Sequence, residues 1–382
     1  MDKKIIFLIV VLAFLGFCIY KTRKQKGWAN LFISFFVILF MLLATEFVYR
    51  NFLTEKTTVS TINSAFQFDS LMGYKFKDTG RLKAIEYFVG GDTIYNTYYT
   101  VLPDTVNQGP AYPFRKGYKA TSGNETVFLG CSVTMGECLP DEQTLPYQFG
   151  QLSGISSVNR GCNGFGIHQV YKLFNYKYAN QDNRNRVFVY TFLEDHFLRA
   201  NGMYDWNMAG PYFVLSGDSL VDKGPSFLVK DIKGLKLAKY LSFFGTFTFI
   251  KDNIEKIAYQ RAVKELNEND LAAPYKMLRQ MAEIIQRTGG KFIILNWDRE
   301  QGQNKGPEML TLPAVKERIE KEVKHTGALI LPVSAAIDFS NPAFFVPNDG
   351  HPSALADKTI AAYLFKNMQQ LTGDTLSSDS HK

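Results

Sequence analysis

Five short apolar runs, at 127–129, 157–159, 187–192, 292–295 and 328–331, alternate with stretches of helical spacing at 143–152, 168–178, 271–287, 313–325 and 353–371. Strands that are each followed by a helix are too far apart along the chain to pair as hairpins. They line up in parallel, and the crossover helices cover both faces of one sheet. The run from Val187 through Phe188, Val189, Tyr190 and Thr191 to Phe192 is the clearest buried strand. In the helix at 271–287, Met277, Met281, Ile284 and Ile285 recur on one face. Residues 200–265 break the alternation and read as an insertion.

The flanks differ in kind. Residues 51–63 are rich in Thr and Ser and read as a stalk, and β-prone pieces at 84–89 and 93–102 predict a small β-rich lead-in that ends near residue 122. The polar stretch 372–382 reads as a disordered tail. Further upstream, residues 5–20 are almost wholly apolar, and residues 28–49 are interrupted only by Asn30, Ser34, Thr45 and Glu46. A bilayer core about 30 Å thick takes roughly 20 helical residues. The second run is long enough; the first is short and needs Lys4 and Lys21 to reach for the headgroups. A signal peptide would also place Lys3 and Lys4 before an apolar run, but no small-x-small cleavage site follows Tyr20. Residues 1–50 are therefore expected to form a transmembrane helical hairpin.

The net charge of +7 belongs mostly to that hairpin. Residues 1–27 hold Lys3, Lys4, Lys21, Arg23, Lys24 and Lys26 against Asp2, a balance of +5 that leaves only +2 for the remainder. No nucleic-acid partner is expected from so small a surplus. The basic loop at 21–26 predicts a cytoplasmic position for itself, and hence an extracytoplasmic one for everything after residue 50. Of the four cysteines, Cys18 lies in the first apolar run, while Cys131, Cys138 and Cys162 leave room for one disulfide. No CxxC or Cys/His spacing predicts a metal site, and no cofactor is implied.

In open α/β sheets, ligands bind beyond the carboxyl ends of the strands. The first strand leads into Gly130, Cys131, Ser132, Val133, Thr134, Met135 and Gly136. A serine at such a strand-to-helix turn is held beside free backbone N–H groups, although a helix-capping serine takes the same position. The second strand leads into a glycine-rich stretch from Asn159 to Gly166. Near the C-terminus, Asn348, Asp349, Gly350, His351 and Pro352 precede a helix. His351 suits a general base, with Asp349 or Asn348 in reach to fix its tautomer. Among the other histidines, His381 is in the tail, His325 ends a helix, and His168 and His196 read as polar residues at element ends.

Together these three pieces resemble the SGNH (GDSL-type) hydrolase family. Its Gly-Asp-Ser block corresponds to the segment 130–136, its Asn-x-Gly-x-x-Gly turn to 159–164, and its terminal Asp and His to Asp349 and His351. The lead-in Leu71, Met72, Gly73, Tyr74 also looks like the segment before this domain in membrane-anchored members. The resemblance implies a flavodoxin-like three-layer α/β sandwich over 123–371 with a mainly parallel sheet. It makes Ser132 the nucleophile, His351 the base, and the amides of Ser132 and Gly164 an oxyanion hole. Three departures stand out. Cys131 replaces the aspartate beside the nucleophile, and Glu194, followed by Asp195, stands where the family has an oxyanion-stabilising asparagine. The residue three before His351 is Asn348 instead of an acid. An ionised Glu194 would repel the developing charge, which leaves Asn163 or His196 as substitute donors.

The function expected is a serine esterase, acting outside the cytoplasmic membrane on acylated cell-envelope glycans or lipids. The same residues would serve an O-acetyltransferase supplied by a membrane acyltransferase partner. The changes at Cys131 and Glu194 motivate a third expectation, an inactive domain that binds glycan.

Overall fold

The computed structural model describes residues 3–48, 58–88, 91–104, 110–121, 123–207, 209–229, 248–299 and 312–372. The chain divides into two compact units, one of Met1–Thr57 with Asp231–Ala262, the other of Thr58–Lys230 with Val263–Lys382.

In the first unit, helices Lys3–Thr22 and Lys26–Val48 pack on each other across a turn at 23–25. Phe14, Trp28, Phe35, Phe40 and Met41 each leave more than half their surface uncovered. The window Lys26–Thr45 is long and apolar enough to cross a membrane, and Val10–Thr22 forms a shorter apolar helix.

The second unit is built on a sheet. Its strands in chain order are β1 (Thr58–Ser60), β2 (Phe66–Asp69), β3 (Gly73–Phe76), β4 (Gly80–Phe88), β5 (Thr93–Leu102), β6 (Phe114–Arg115), β7 (Glu125–Gly130), β8 (Ser156–Gly161), β9 (Arg186–Phe192), β10 (Pro211–Ser216), β11 (Ser219–Pro225), β12 (Lys291–Asn296) and β13 (Leu329–Pro332). Nine of them form one sheet in the order β1-β4-β5-β6-β8-β7-β9-β12-β13. The five from β8 to β13 are all parallel, with Phe128 opposite Asn159 on one side and Val189 on the other. Counted along the chain their order is 2-1-3-4-5, the flavodoxin-like winding, whose switch point lies at the carboxyl ends of β7 and β9.

One face of the sheet is covered by helices Leu145–Ser153 and Ala354–Thr372. There Leu145, Phe149, Ile360 and Leu364 pack on Phe128, Val189 and Ile293. The other face carries helices Ile167–Lys177 and Glu268–Arg287, with the Phe174 ring edge-on to Phe188 at 5.4 Å. These elements fall within a few residues of the periodicities that predict them, because the central strands are apolar on both faces and each helix on one, while the outer β8 buries the polar Ser157, Asn159 and Arg160.

Segment 58–115 does not stand apart as a lead-in. It extends the main sheet by antiparallel strands, β6 pairing β8 with Arg115 opposite Asn159. Within the expected stalk, residues 58–60 form β1, while 51–57 lie outside the described residues, as does the tail beyond Thr372. The expected insertion is not one body. The β10–β11 hairpin packs on the Ile167–Lys177 and Glu268–Arg287 helices, whereas Asp231–Ala262 belongs to the first unit.

Candidate active site

Strand β7 ends in Gly130, and the four-residue helix Ser132–Met135 follows at once. A Cβ on Gly130 would lie 2.2 Å from Thr134 Oγ1, so only glycine lets the helix turn back over the strand. The turn is held from beneath by Arg115 of β6, which is fully buried. Its guanidinium donates to the carbonyls of Met135 (2.9 Å), Gly136 (2.5 Å) and Leu139 (2.5 Å), pairs with Asp141 at 3.0 Å, and lies 3.9 Å from the Tyr99 ring centre. Asn159 adds a bond from Nδ2 to the Met135 carbonyl at 3.1 Å.

Ser132 and His351 are 219 residues apart in sequence, and Ser132 Oγ lies 2.8 Å from His351 Nε2. Asp349 Oδ1 accepts from His351 Nδ1, from the His351 backbone N–H at 3.0 Å, and from the Cys138 thiol at 3.2 Å. The acid two residues before the histidine is thus its partner. Asn348 has φ +64°, and the turn it belongs to returns Asp349 under the ring. Burial works to raise the Asp349 pKa, but the bonds and charge of His351 and the Cys138 thiol bring it below the ordinary carboxylate value. Cys138 is a buried non-glycine residue at φ +74°, a conformation that costs on the order of 1 kcal/mol and here aims the thiol at Asp349.

A second carboxylate faces the imidazole from the other side. Glu137 is buried, with Oε2 3.4 Å from His351 Nε2 and Oε1 accepting from Asn163 Nδ2 at 3.2 Å. Burial, reinforced by Asp349 and Glu86, raises its pKa above the usual range despite the pull of His351 and Arg115. Burial lowers the pKa of His351, yet Asp349 and Glu137 outweigh it and hold the ring above the ordinary histidine value.

The amides of Ser132 and Gly164 donate to no backbone acceptor among the described residues. Gly164 has φ +72°, and a Cβ there would stand 2.7 Å from Tyr74 Oη and 3.0 Å from Trp206 Cδ1. Tyr74 donates to the Asn163 carbonyl at 2.7 Å and Asn207 Nδ2 to the Gly164 carbonyl at 2.9 Å, which pins the turn from outside. Two clefts meet at the serine. The first, about 600 Å³, is lined by Phe66, Tyr74, Asn163, Gly164 and Trp206; the second, about 470 Å³, by Leu193, Asp195, Trp297, Arg299 and Asp349. Ser132, His351 and Arg199 line both.

The third-block residues are placed differently from expectation. Glu194 is half-buried and lines neither cleft, and burial first, then Asp195, push its pKa up to about 7. Asp195 borders the second cleft and accepts from Tyr204 Oη at 3.0 Å. His196 is not available as an oxyanion donor. It is fully buried, its Nδ1 is 2.7 Å from Tyr190 Oη, its ring stacks on Tyr190, and burial lowers its pKa well below the usual value. Asn163 does line the first cleft, with its amide turned to Glu137. All four cysteines are free, and Cys131 is packed in the core beneath the turn.

Sequence reasoning missed Glu137, Arg199 and Trp206, and it named Cys138 only as a disulfide candidate and Tyr74 only as part of the lead-in. A signal existed for Glu137: it is a charged residue directly after the last glycine of the serine segment, among neighbours that are otherwise uncharged up to Pro140. Trp206 comes from the insertion and had none. Cys138 Sγ, Asp349 and His351 present donor atoms within 4.8 Å of one another, close enough for a metal ion. The same atoms are already engaged by hydrogen bonds to each other.

No family model and no curated protein sequence matches the chain. Solved structures with a similar course of the chain include a member of the lipolytic G-D-S-L family from Veillonella parvula, at 12% identity and a TM-score of 0.38, covering 64% of this chain and 97% of that one. The acetylxylan esterase Axe2 from Geobacillus stearothermophilus matches at 14% identity and a TM-score of 0.39, over 69% of this chain and all of its own. A carbohydrate esterase family 2 enzyme with a carbohydrate-binding domain from Corynascus thermopiles matches at 11% identity and a TM-score of 0.38, over 69% of this chain and 72% of its own. At such scores the likenesses are loose, and the assignment below stands on the residues themselves.

Proposed function

We propose that the chain is an SGNH-type serine esterase that hydrolyses acyl esters of cell-envelope glycans or lipids, tethered by residues 1–50 and facing away from the cytoplasm. The observation that carries the reading is the Ser132 Oγ to His351 Nε2 approach of 2.8 Å, with Asp349 behind the ring and a cleft open on either side. Neutral His351 takes the hydroxyl proton as Ser132 Oγ attacks the ester carbonyl. Asp349 keeps the remaining ring proton on Nδ1 and stabilises the imidazolium that forms. The oxyanion meets the N–H groups of Ser132 and Gly164, and the missing third donor costs roughly 10²–10³ in rate. Protonated His351 gives its proton to the departing alcohol, and water then releases the acid from Ser132 by the same path. The exposed Trp206 ring, with the partly buried Phe66 beside it in the first cleft, suits the apolar face of a sugar ring.

A fluorophosphonate probe should label the purified chain, and Ser132→Ala should abolish labelling and lower ester turnover by about 10⁴-fold or more. Labelling that survives the substitution means another nucleophile; a folded wild type that never labels removes the enzyme reading.

A further inference from the structure

We propose that the second cleft is an anion site, in which Arg199 and Arg299 hold a carboxylate or phosphate group of the ester while its carbonyl lies at Ser132. The inference rests on the esterase reading and narrows its substrate to an anionic ester. Arg199 follows β9 on the short helix Asp195–Ala200. It is 9% exposed, yet it borders the cleft together with Ser132 and His351. Its bonding capacity is under-used. Nη1 donates to the Phe165 carbonyl at 2.9 Å, the Cys131 side chain also interacts with the guanidinium, and Nη2 stands 3.8 Å from Asp195. A guanidinium carries five donors, so an oxyanion reaching the cleft-facing end of Arg199 can take bonds that Asp195 meets only at a distance.

Arg299 enters the same cleft from the segment after β12, its guanidinium 4.2 Å from the Phe345 ring centre. Two carboxylates share the space, and of these Asp195 forms a long ion pair with Arg199 at 3.8 Å. Asp349 is engaged by His351 and Cys138, and Asp195 by Tyr204. Paired guanidiniums beside a reacting centre match the planar, two-oxygen geometry of carboxylate and phosphate. The first cleft, which Arg199 also borders, is lined by Phe66, Tyr74 and Trp206 and lacks Arg299, so the two cations meet only in the second. Because the clefts meet at Ser132, one receives the acyl part and the other the alcohol.

The test compares matched esters on the purified full chain. Mono-4-nitrophenyl succinate against its methyl ester places the charge on the acyl side. For the alcohol side, 4-acetoxybenzoate against its methyl ester probes carboxylate, and 4-acetoxyphenyl phosphate probes phosphate. On one side, kcat/KM should favour the anion by about ten- to a hundredfold, and salt should weaken the preference. Arg199→Gln and Arg299→Gln should each bring the ratio towards one, with Arg299→Lys retaining part of it. Arg299 is only partly buried, so its variants remain informative if Arg199→Gln fails to fold. A ratio near one in the wild type, or a ratio indifferent to both variants, overturns the proposal. So does an equal loss on charged and neutral probes in Arg199→Gln, which would assign that residue to the reacting carbonyl. If no ester is cleaved, the esterase reading falls first, and calorimetry with succinate and with inorganic phosphate decides the site. Binding that Arg299→Gln removes sustains it; absence of binding ends it.

Discussion

His351 has a carboxylate at each ring nitrogen, Asp349 hydrogen-bonded to Nδ1 and Glu137 3.4 Å from Nε2. A base must be neutral to accept a proton, and both acids favour the imidazolium, so catalysis should fail as pH falls through a histidine pKa above the usual value of about 6.5. Glu137→Gln removes one of the two charges. The acid limb of the kcat/KM profile should move to lower pH in that variant, and an unmoved limb would mean that Glu137 does not act on the ring. Burial and Asp349 also raise the Glu137 pKa, so its proton and that of His351 depend on each other. Ser132 and His351 were legible in sequence, because one stands at the end of a strand and the other just before a helix, while Asp349 and Asn348 both remained open as the partner of the histidine. Glu137 was not assigned, since its role depends on a histidine more than two hundred residues away.

At the scale of elements, the serine turn is supported by β6, which contributes two residues to the sheet and one buried cation to the site. Arg115→Met would leave buried Asp141 without its counter-charge and the Met135, Gly136 and Leu139 carbonyls each one donor short, a loss of about 3–5 kcal/mol. Thermal melting should show the drop, and a Tm within a few degrees of wild type would contradict this support role. The final helix is tied to the helix at Leu145–Ser153 through Asp357, whose Oδ2 accepts the Leu145 N–H at 2.7 Å. Burial raises the pKa of this carboxyl well above 3.8. The folded state therefore keeps a proton that the unfolded chain gives up, and this contribution to stability, full below about pH 3.8, is lost as pH rises through the folded value. Asp357→Asn keeps the acceptor and cannot ionise, so its Tm should gain on wild type as pH rises above about 3.8. A constant difference would argue against a buried titrating group.

For the whole molecule, the proposed tether would decide what the site meets. The helix window Lys26–Thr45 and the basic residues between the two N-terminal helices motivate the placement proposed above. Protease added to intact spheroplasts should cut beyond residue 60. Full protection would put the catalytic unit, and its substrate, in the cytoplasm. β4 and β5 were legible from their period-two alternation, but that these strands join the main sheet through β6 was not, because that depends on the pairing of Arg115 with Asn159 across more than forty residues.

The pattern of apolar runs was enough by itself to determine a parallel α/β sheet and which segments cover it, because burial on two faces or one imposes a local period on the side chains. The same pattern put Ser132 just after a strand and His351 just before a helix. Only the tertiary structure decided that Asp349 is the acid, that Glu194 and His196 stay out of the clefts, and that Glu137 and Arg199 border the reaction centre. Those outcomes depend on distances between residues that are remote in sequence and on how deeply each charge is buried. Neither quantity leaves a period in the chain.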